Sequence, residues 1–120
     1  MFDDDYIDYQ KSFYWYKKVA DQGDSFGQYR VGYMYEKGEG VSQSYQKAVE
    51  WYQKAIEHEF DEYHDDDVGR RCAEEKLGRL YEKGCGVPQN YHKALELYQL
   101  AVKHGNYDAE YGIKRVKQLI

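Results

Sequence analysis

The sequence predicts an all-α fold, a short right-handed α-solenoid in which antiparallel helix pairs stack on one another. The first observation is a long internal repeat: VGYMYEKGEGVSQSYQKAVEWYQKAI (31–56) aligns without a gap with LGRLYEKGCGVPQNYHKALELYQLAV (77–102). The second is the heptapeptide YEKGEGV (35–41), which returns as YEKGCGV (81–87). The third is the spacing of apolar side chains after each heptapeptide, which is typical of amphipathic helices. Repeats with periods of about 20–50 residues indicate stacked units.

A partial third copy of the unit lies near the start of the chain, where DYQKSFYWYKKV (8–19) aligns with SYQKAVEWYQKA (44–55). This alignment has an offset of 36 residues and the first an offset of 46, and the ten additional residues fall in an acidic segment between the units. We therefore expect a single domain. Its parts, in order, are an N-terminal second-helix half (6–22), a full repeat (24–58), the acidic insertion (59–68), a second full repeat (69–104) and a closing first helix (106–120).

Each full repeat is predicted to form a helical hairpin. The first helix carries Gly32 or Gly78 in its interior. Because glycine costs about 1 kcal/mol relative to alanine there, we expect a neighbouring helix to approach closely at that point. The paired glycines of the heptapeptide then end the first helix, since glycine adopts the positive φ of a C-cap and turn. The second helix is predicted to begin after Ser44 or Asn90, which are suited to N-capping.

The composition argues against several classes of protein. The 17 basic and 22 acidic residues give a formal net charge of −5, and no basic stretch is long enough to follow a phosphate backbone, so no nucleic-acid binding is expected. No run of about 18 apolar residues is present, so no membrane insertion is expected. The acidic start MFDDDYIDYQ is unlike a secretion signal. We therefore expect a cytoplasmic protein in which Cys72 and Cys85 are free thiols.

The motif YEKGxGV, the Tyr-x-Lys-Ala step after it and the segment WYQKA (51–55) resemble the Sel-1-like repeat family, a branch of the tetratricopeptide-type α-solenoids. The resemblance covers roughly residues 8–120, and the usual period of the family matches the 36-residue spacing found here. It implies a scaffolding, adaptor or regulatory role through protein–protein contacts, without catalysis. Secreted members of the family carry paired cysteines that link each helix pair. Neither repeat here has such a pair, so no disulfide is expected.

In a solenoid of this type the first helices line the concave face, whose outward side chains are candidates for partner binding. Val31, Gly32 and Tyr35 are expected to point to the core, which leaves aromatic side chains and an arginine outside. This combination is enriched at interface hot spots. The alternative is that the tyrosines only cover neighbouring helices. The predicted partner-binding residues are Phe26, Tyr29, Arg30, Tyr33, Glu75, Lys76, Arg79, Tyr111 and Arg115, and the same face is expected to carry Lys37, Cys72, Lys83, Asp108 and Gly112.

The acidic insertion offers a second surface, which would meet a basic partner. Its candidate contact residues are Glu59, Asp61, Glu62, Asp65, Asp66 and Asp67. His58 and His64 lie among these carboxylates, and such groups together could hold a divalent metal. Their spacing is not diagnostic, so no metal site is assigned. A simpler alternative has the second helix continue to about Tyr63 and Asp65–Asp67 begin the next helix, where acidic side chains favour the helix dipole.

The N-terminal helix lacks the first helix on which a second helix normally packs. Terminal repeats usually carry a polar capping face, but this helix carries an aromatic face made of Tyr9, Phe13 and Tyr16. These side chains either pack onto the first full repeat or mediate self-association.

No catalytic arrangement is recognised: the glycines are explained by the turns, Cys85 has no base beside it in sequence, and His58 and His104 occupy equivalent repeat positions. We therefore predict no enzyme activity and no cofactor. The predicted function is that of a protein–protein interaction module that binds a protein partner through the concave face. It would act as an adaptor or as an inhibitor, for example as an immunity or antitoxin-like protein that masks a toxin or enzyme. The alternative is a structural subunit of a larger repeat assembly, joined through the uncapped N-terminal helix.

Overall fold

The computed structural model describes residues 8–57 and 68–120, which form six α-helices and no strand. The helices are α1 (Tyr9–Asp21), α2 (Ser25–Lys37), α3 (Tyr45–Glu57), α4 (Val68–Lys83), α5 (Tyr91–Lys103) and α6 (Ala109–Lys117). α2 pairs with α3 and α4 with α5, while α4 also packs between α2 and α6. The predicted all-α arrangement of stacked helix pairs is confirmed. Among the described residues, no helix has the length and apolar character needed to cross a membrane.

The two heptapeptide turns have the predicted backbone conformation. Gly38 and Gly84 follow α2 and α4 with φ of 71° and 73°, and Gly40 and Gly86 come two residues later with φ of 79° and 76°. Residues with a side chain rarely adopt these angles. The second glycine of each turn also touches the preceding unit, because a Cβ on Gly86 would lie 2.7 Å from the backbone oxygen of Tyr45, the first residue of α3.

The second helices begin at the predicted caps. The side-chain oxygens of Ser44 and Asn90 each accept the backbone N–H three residues further on, at 3.2 and 3.0 Å. Asp8 and Asp24 cap α1 and α2 in the same way. A polar side chain at this position satisfies one of the N–H groups that the first helical turn leaves unpaired.

A tyrosine–glycine contact holds each helix pair together, as the interior glycines predicted. A Cβ on Gly32 would lie 2.8 Å from the ring of Tyr52, and one on Gly78 would lie 2.9 Å from the ring of Tyr98. Both rings are buried. Gly112 of α6 lies against the other face of the Tyr98 ring, where a Cβ would be 2.6 Å from its Cε2 and Cζ. The expectation that Gly112 faces outward was therefore wrong, because the ring reaches across to the next first helix.

α4 begins earlier in the repeat than α2 does. Gly23 and Gly105 lie in the turns before α2 and α6 with φ of 93° and 100°. Gly69 aligns with them in sequence, but it lies within α4 and has no positive φ. A Cβ there would meet the backbone of Ser25 and Phe26 at the start of α2. The same repeat position therefore forms a turn in two units and a close helix contact in the middle one.

Candidate functional site

The side chains predicted to bind a partner lie on α2, α4 and α6, the three first helices. We call this surface the first-helix face. Its described members are Phe26, Tyr29, Arg30, Tyr33, Lys37, Cys72, Glu75, Lys76, Arg79, Lys83, Asp108, Tyr111 and Arg115. The structure gathers most of them into two areas, an aromatic cluster on α2 and a groove between α4 and α6. Lys76 links the two, because its Nζ lies 5.7 Å from the ring centroid of Tyr33 and 3.6 Å from the carboxylate of Glu75, which lines the groove.

The aromatic cluster is a row of four rings, one from α1 and three from α2. Tyr16 and Phe26 have ring centroids 6.2 Å apart, Phe26 and Tyr29 5.9 Å, and Tyr29 and Tyr33 6.4 Å. The guanidinium carbon of Arg30 lies 5.2 Å from the centroids of both Tyr16 and Tyr33. These are cation–π distances. Arg30 therefore joins α1 and α2 while remaining half-exposed.

The cluster has a packed side and an open side. Tyr29 stacks on the buried Tyr52 at a centroid distance of 6.2 Å, and burial raises the pKa of Tyr29 to about 12, so its phenol stays neutral. This agrees with the hypothesis that Tyr29 covers a neighbouring helix. Phe26, in contrast, is 41% exposed. An exposed aromatic side chain of this kind is suited to contact with another protein.

The second area is a groove of about 460 Å³ between α4 and α6. Glu75, Arg79, Tyr111 and Arg115, which were all predicted to bind the partner, line it together with side chains that were not, among them Glu82, Lys83 and Tyr98. Tyr111 is 73% exposed. The groove is therefore mostly charged, with one open aromatic ring at its α6 side.

Glu82 connects the groove to the core through hydrogen bonds to Arg115 and to the buried Tyr98. Its Oε1 accepts hydrogen bonds from the Tyr98 hydroxyl at 2.7 Å and from Nη2 of Arg115 at 2.8 Å, and its Oε2 accepts one from Nε of Arg115. The bonds from Arg115 lower the pKa of the Glu82 carboxyl, and the same bonds raise the pKa of Arg115. Both groups therefore stay charged, and Arg115 is held in place by a buried carboxylate.

Sequence reasoning missed Glu82 and Tyr98, although the repeat contains a signal for them. Glu36 and Tyr52 have the same spacing of 16 residues and form the same hydrogen bond at 2.7 Å. The two units differ in whether an arginine of the next first helix joins the Glu–Tyr pair. Arg79 has the position in α4 that Arg115 has in α6, yet Arg79 forms no ion pair or side-chain hydrogen bond with any described residue.

The aromatic side chains of α1 divide into two groups. Phe13 packs edge-on against Tyr35 of α2 at a centroid distance of 5.5 Å, and Tyr16 belongs to the aromatic cluster. These two pack onto the first full repeat, which was one of the two expected alternatives, and Tyr9 is partly exposed. The most exposed aromatic side chains of α1 are instead Tyr14 (58%) and Trp15 (62%).

The acidic contact residues of the insertion lie outside the described residues and stay a prediction. Within residues 8–57 and 68–120, no three His, Cys, Asp or Glu side chains are grouped so that they could hold a metal ion. Cys72 and Cys85 are free thiols, and burial raises the pKa of Cys72.

Comparisons with known proteins agree with this architecture. A family profile described as Sel1 repeat matches residues 6–24, 25–60 and 73–106. The chain is similar to the crystal structure of a Sel1 repeat protein from Oxalobacter formigenes, with 36% sequence identity and a TM-score of 0.71 over 87% of this chain and 39% of that one. It is also similar to Helicobacter pylori cysteine rich protein B, with 26% identity and a TM-score of 0.70 over 86% of this chain and 70% of that one. The chain thus spans about two fifths of the Oxalobacter protein. No curated protein matches the sequence.

Proposed function

Because the chain belongs to the Sel1 repeat family, whose members are generally protein–protein interaction modules, we propose that it binds a protein partner through the first-helix face. The observation that carries this proposal is the aromatic row of α1 and α2, in which Phe26 is exposed, together with the charged groove on the same face. Tyrosine and arginine, which this row also contains, are enriched among the side chains that dominate the energy of protein interfaces.

The proposal is tested with two paired aromatic variants. Phe26→Ala with Tyr111→Ala removes the two most exposed rings of the first-helix face, and Tyr14→Ala with Trp15→Ala removes two exposed rings from α1. Circular dichroism first establishes that both variants keep the helical fold. A partner isolated on the immobilised wild-type chain is then purified, and its affinity for each variant is measured by biolayer interferometry.

We expect the first-helix variant to bind at least about tenfold more weakly, since each hot-spot ring contributes more than about 1 kcal/mol. The α1 variant should keep the wild-type affinity. The reverse result, with the affinity lost only in the α1 variant, would place the partner on α1 and contradict the proposal.

Two versions of this role make different predictions about the partner. As an inhibitor, in the manner of an immunity or antitoxin-like protein, the chain forms a stoichiometric complex that abolishes the partner's activity. As an adaptor, it leaves that activity unchanged and binds a second protein at the same time. Titrating the chain into an activity assay of the isolated partner separates the two.

The exposure of Trp15 and Tyr14 favours a second candidate function, that of a structural subunit joined through α1. An exposed aromatic patch of this kind is suited to association. Light scattering should then show a mass that rises with concentration in the wild type and falls to that of one chain in Trp15→Ala. A wild-type chain that stays monomeric at all concentrations would exclude self-association through α1.

A further inference from the structure

We propose that the groove between α4 and α6 binds a carboxylate side chain of an acidic segment in the partner protein. The inference rests on the proposed function and names the chemistry of the partner. It is based on the distribution of charge over the described helices, on Arg79, and on the exposed ring of Tyr111.

Charge is distributed unevenly along the chain. All 17 basic residues, but only 13 of the 22 acidic ones, lie in residues 8–57 and 68–120. The other nine acidic residues belong to 1–7 and 58–67. The described helices therefore carry a net positive charge although the whole chain has a net charge of −5. Complementary charge steers association and selects partners, so an acidic partner is favoured only where cations of these helices have no acidic partner within the protein.

The acidic side chains of the groove are mostly paired within the protein. Glu82 is bound to Arg115 and Tyr98, and the carboxylate of Glu75 lies 3.6 Å from Nζ of Lys76. Arg79 and Lys83 also line the groove, but within the described ranges neither forms an ion pair or a side-chain hydrogen bond. The groove thus offers two cations whose charge is not neutralised by a direct contact.

The neighbouring unit shows what Arg79 lacks. In α6 the equivalent residue, Arg115, donates two hydrogen bonds to the carboxylate of Glu82. A planar guanidinium binds carboxylates with a fork of donors in this way. Arg79 presents the same group to the groove but forms no hydrogen bond with Glu36, the equivalent acceptor, whose carboxylate is bound to Tyr52 and lies 3.7 Å from Nζ of Lys37. A carboxylate from outside the chain would therefore complete the arrangement that Arg115 already has.

Two features limit the ligand to one or two carboxylates beside an apolar residue. Asp108 also lines the groove, and its carboxylate repels negative charge beyond the one or two carboxylates that Arg79 and Lys83 can neutralise. Tyr111, 73% exposed, supplies a ring against which an apolar neighbour of the bound acid could pack. A short acidic stretch of protein with an apolar side chain fits these conditions.

The inference is tested by selecting peptides from a random display library on the immobilised full chain. Three proteins are compared: the wild type, Arg79→Gln with Lys83→Gln, and the control Lys103→Gln with Lys93→Gln. The control removes the same charge from α5, away from the groove. The readout is the charge of the enriched peptides, followed by the affinity of one selected synthetic peptide for each protein.

The wild type and the control should enrich acidic peptides, and the groove variant should not. The selected peptide should lose about tenfold or more in affinity for the groove variant, because charge-assisted hydrogen bonds to arginine are lost. If peptides are enriched, three results would overturn the inference: enrichment of neutral or basic peptides, equal binding of the acidic peptide to the groove variant, or displacement of that peptide by poly(U) as readily as by the unlabelled peptide.

The outcomes also separate this inference from the proposed function. Enriched peptides that bind without regard to charge but are lost in Phe26→Ala with Tyr111→Ala would leave the first-helix face as the binding surface and remove only the carboxylate chemistry. If no peptide is enriched on the wild type, the inference fails, while the purified partner of the preceding experiment still decides the proposed function.

Discussion

Gly112→Ala should destabilise the protein although alanine is the better helix former. By helix propensity alone, the change in α6 would stabilise the fold by about 1 kcal/mol. The new Cβ, however, would lie 2.6 Å from Cε2 and Cζ of Tyr98. That ring cannot retreat, because Gly78 lies against it and its hydroxyl is bound to Glu82. Overpacking a core costs about 1–3 kcal/mol, and losing a hydrogen bond to a charged group costs about 1.5–3 kcal/mol.

The net expectation is a loss of about 1.5–5 kcal/mol in the free energy of unfolding, depending on how far the ring moves. Urea unfolding followed by circular dichroism measures it directly. The same substitution in a Tyr98→Leu background is the control, because leucine lacks the ring atoms that the new Cβ would meet. There Gly112→Ala should be neutral or stabilising. If Gly112→Ala is as stable as the wild type with Tyr98 intact, the ring is not fixed between the two glycines and the reasoning is refuted.

Three further predictions concern the same network and the helix caps. Tyr98→Phe should lower the free energy of unfolding by about 1.5–3 kcal/mol, since Glu82 loses a buried donor; an unchanged urea midpoint would show that the hydroxyl contributes nothing. Arg115 lowers the pKa of Glu82 in the folded state. The stability that this pair contributes is therefore fully present above the pKa of Glu82 in the unfolded chain, about 4.3. It is lost as the pH falls through the lower pKa that Glu82 has in the folded protein. The wild type should therefore lose more stability than Glu82→Gln between neutral and strongly acidic pH, and parallel stability curves for the two would contradict this assignment. Asn90→Ala should cost about 1 kcal/mol by removing the cap of α5, whereas Gln99→Ala, at an exposed position of the same helix, should cost much less in the same urea experiment.

The helical hairpins could be predicted because the sequence contains the same hairpin pattern in two copies. Gly38 and Gly84, like Ser44 and Asn90, have matching roles in matching positions, so one physical explanation covers both copies. Contacts between units were harder to predict. Gly112 was expected on the surface, because the repeat pattern does not indicate that the ring of Tyr98 extends to the next first helix.

The sequence predicted which helix face carries the candidate site, but not which contacts each of its side chains makes within the protein. The 3–4 residue spacing places Tyr29, Tyr33 and Arg79 on the outward side of their helices. It does not show that Tyr29 also stacks on the core, nor that Arg115 is paired while Arg79 is not. These differences depend on the side chains of the neighbouring helix, which belong to a different part of the sequence.

The contact between Gly86 and the backbone of Tyr45 has a consequence for how such a protein evolves. Backbone atoms are the same whichever side chain a residue carries. The distance between two repeats that is set by a backbone contact therefore does not change when surface side chains are mutated. Tyr33, Arg79 and Arg115 occupy one repeat position and carry different chemistry in each unit. The scaffold and the recognition surface can therefore change independently, which lets one architecture acquire new partners without loss of its register.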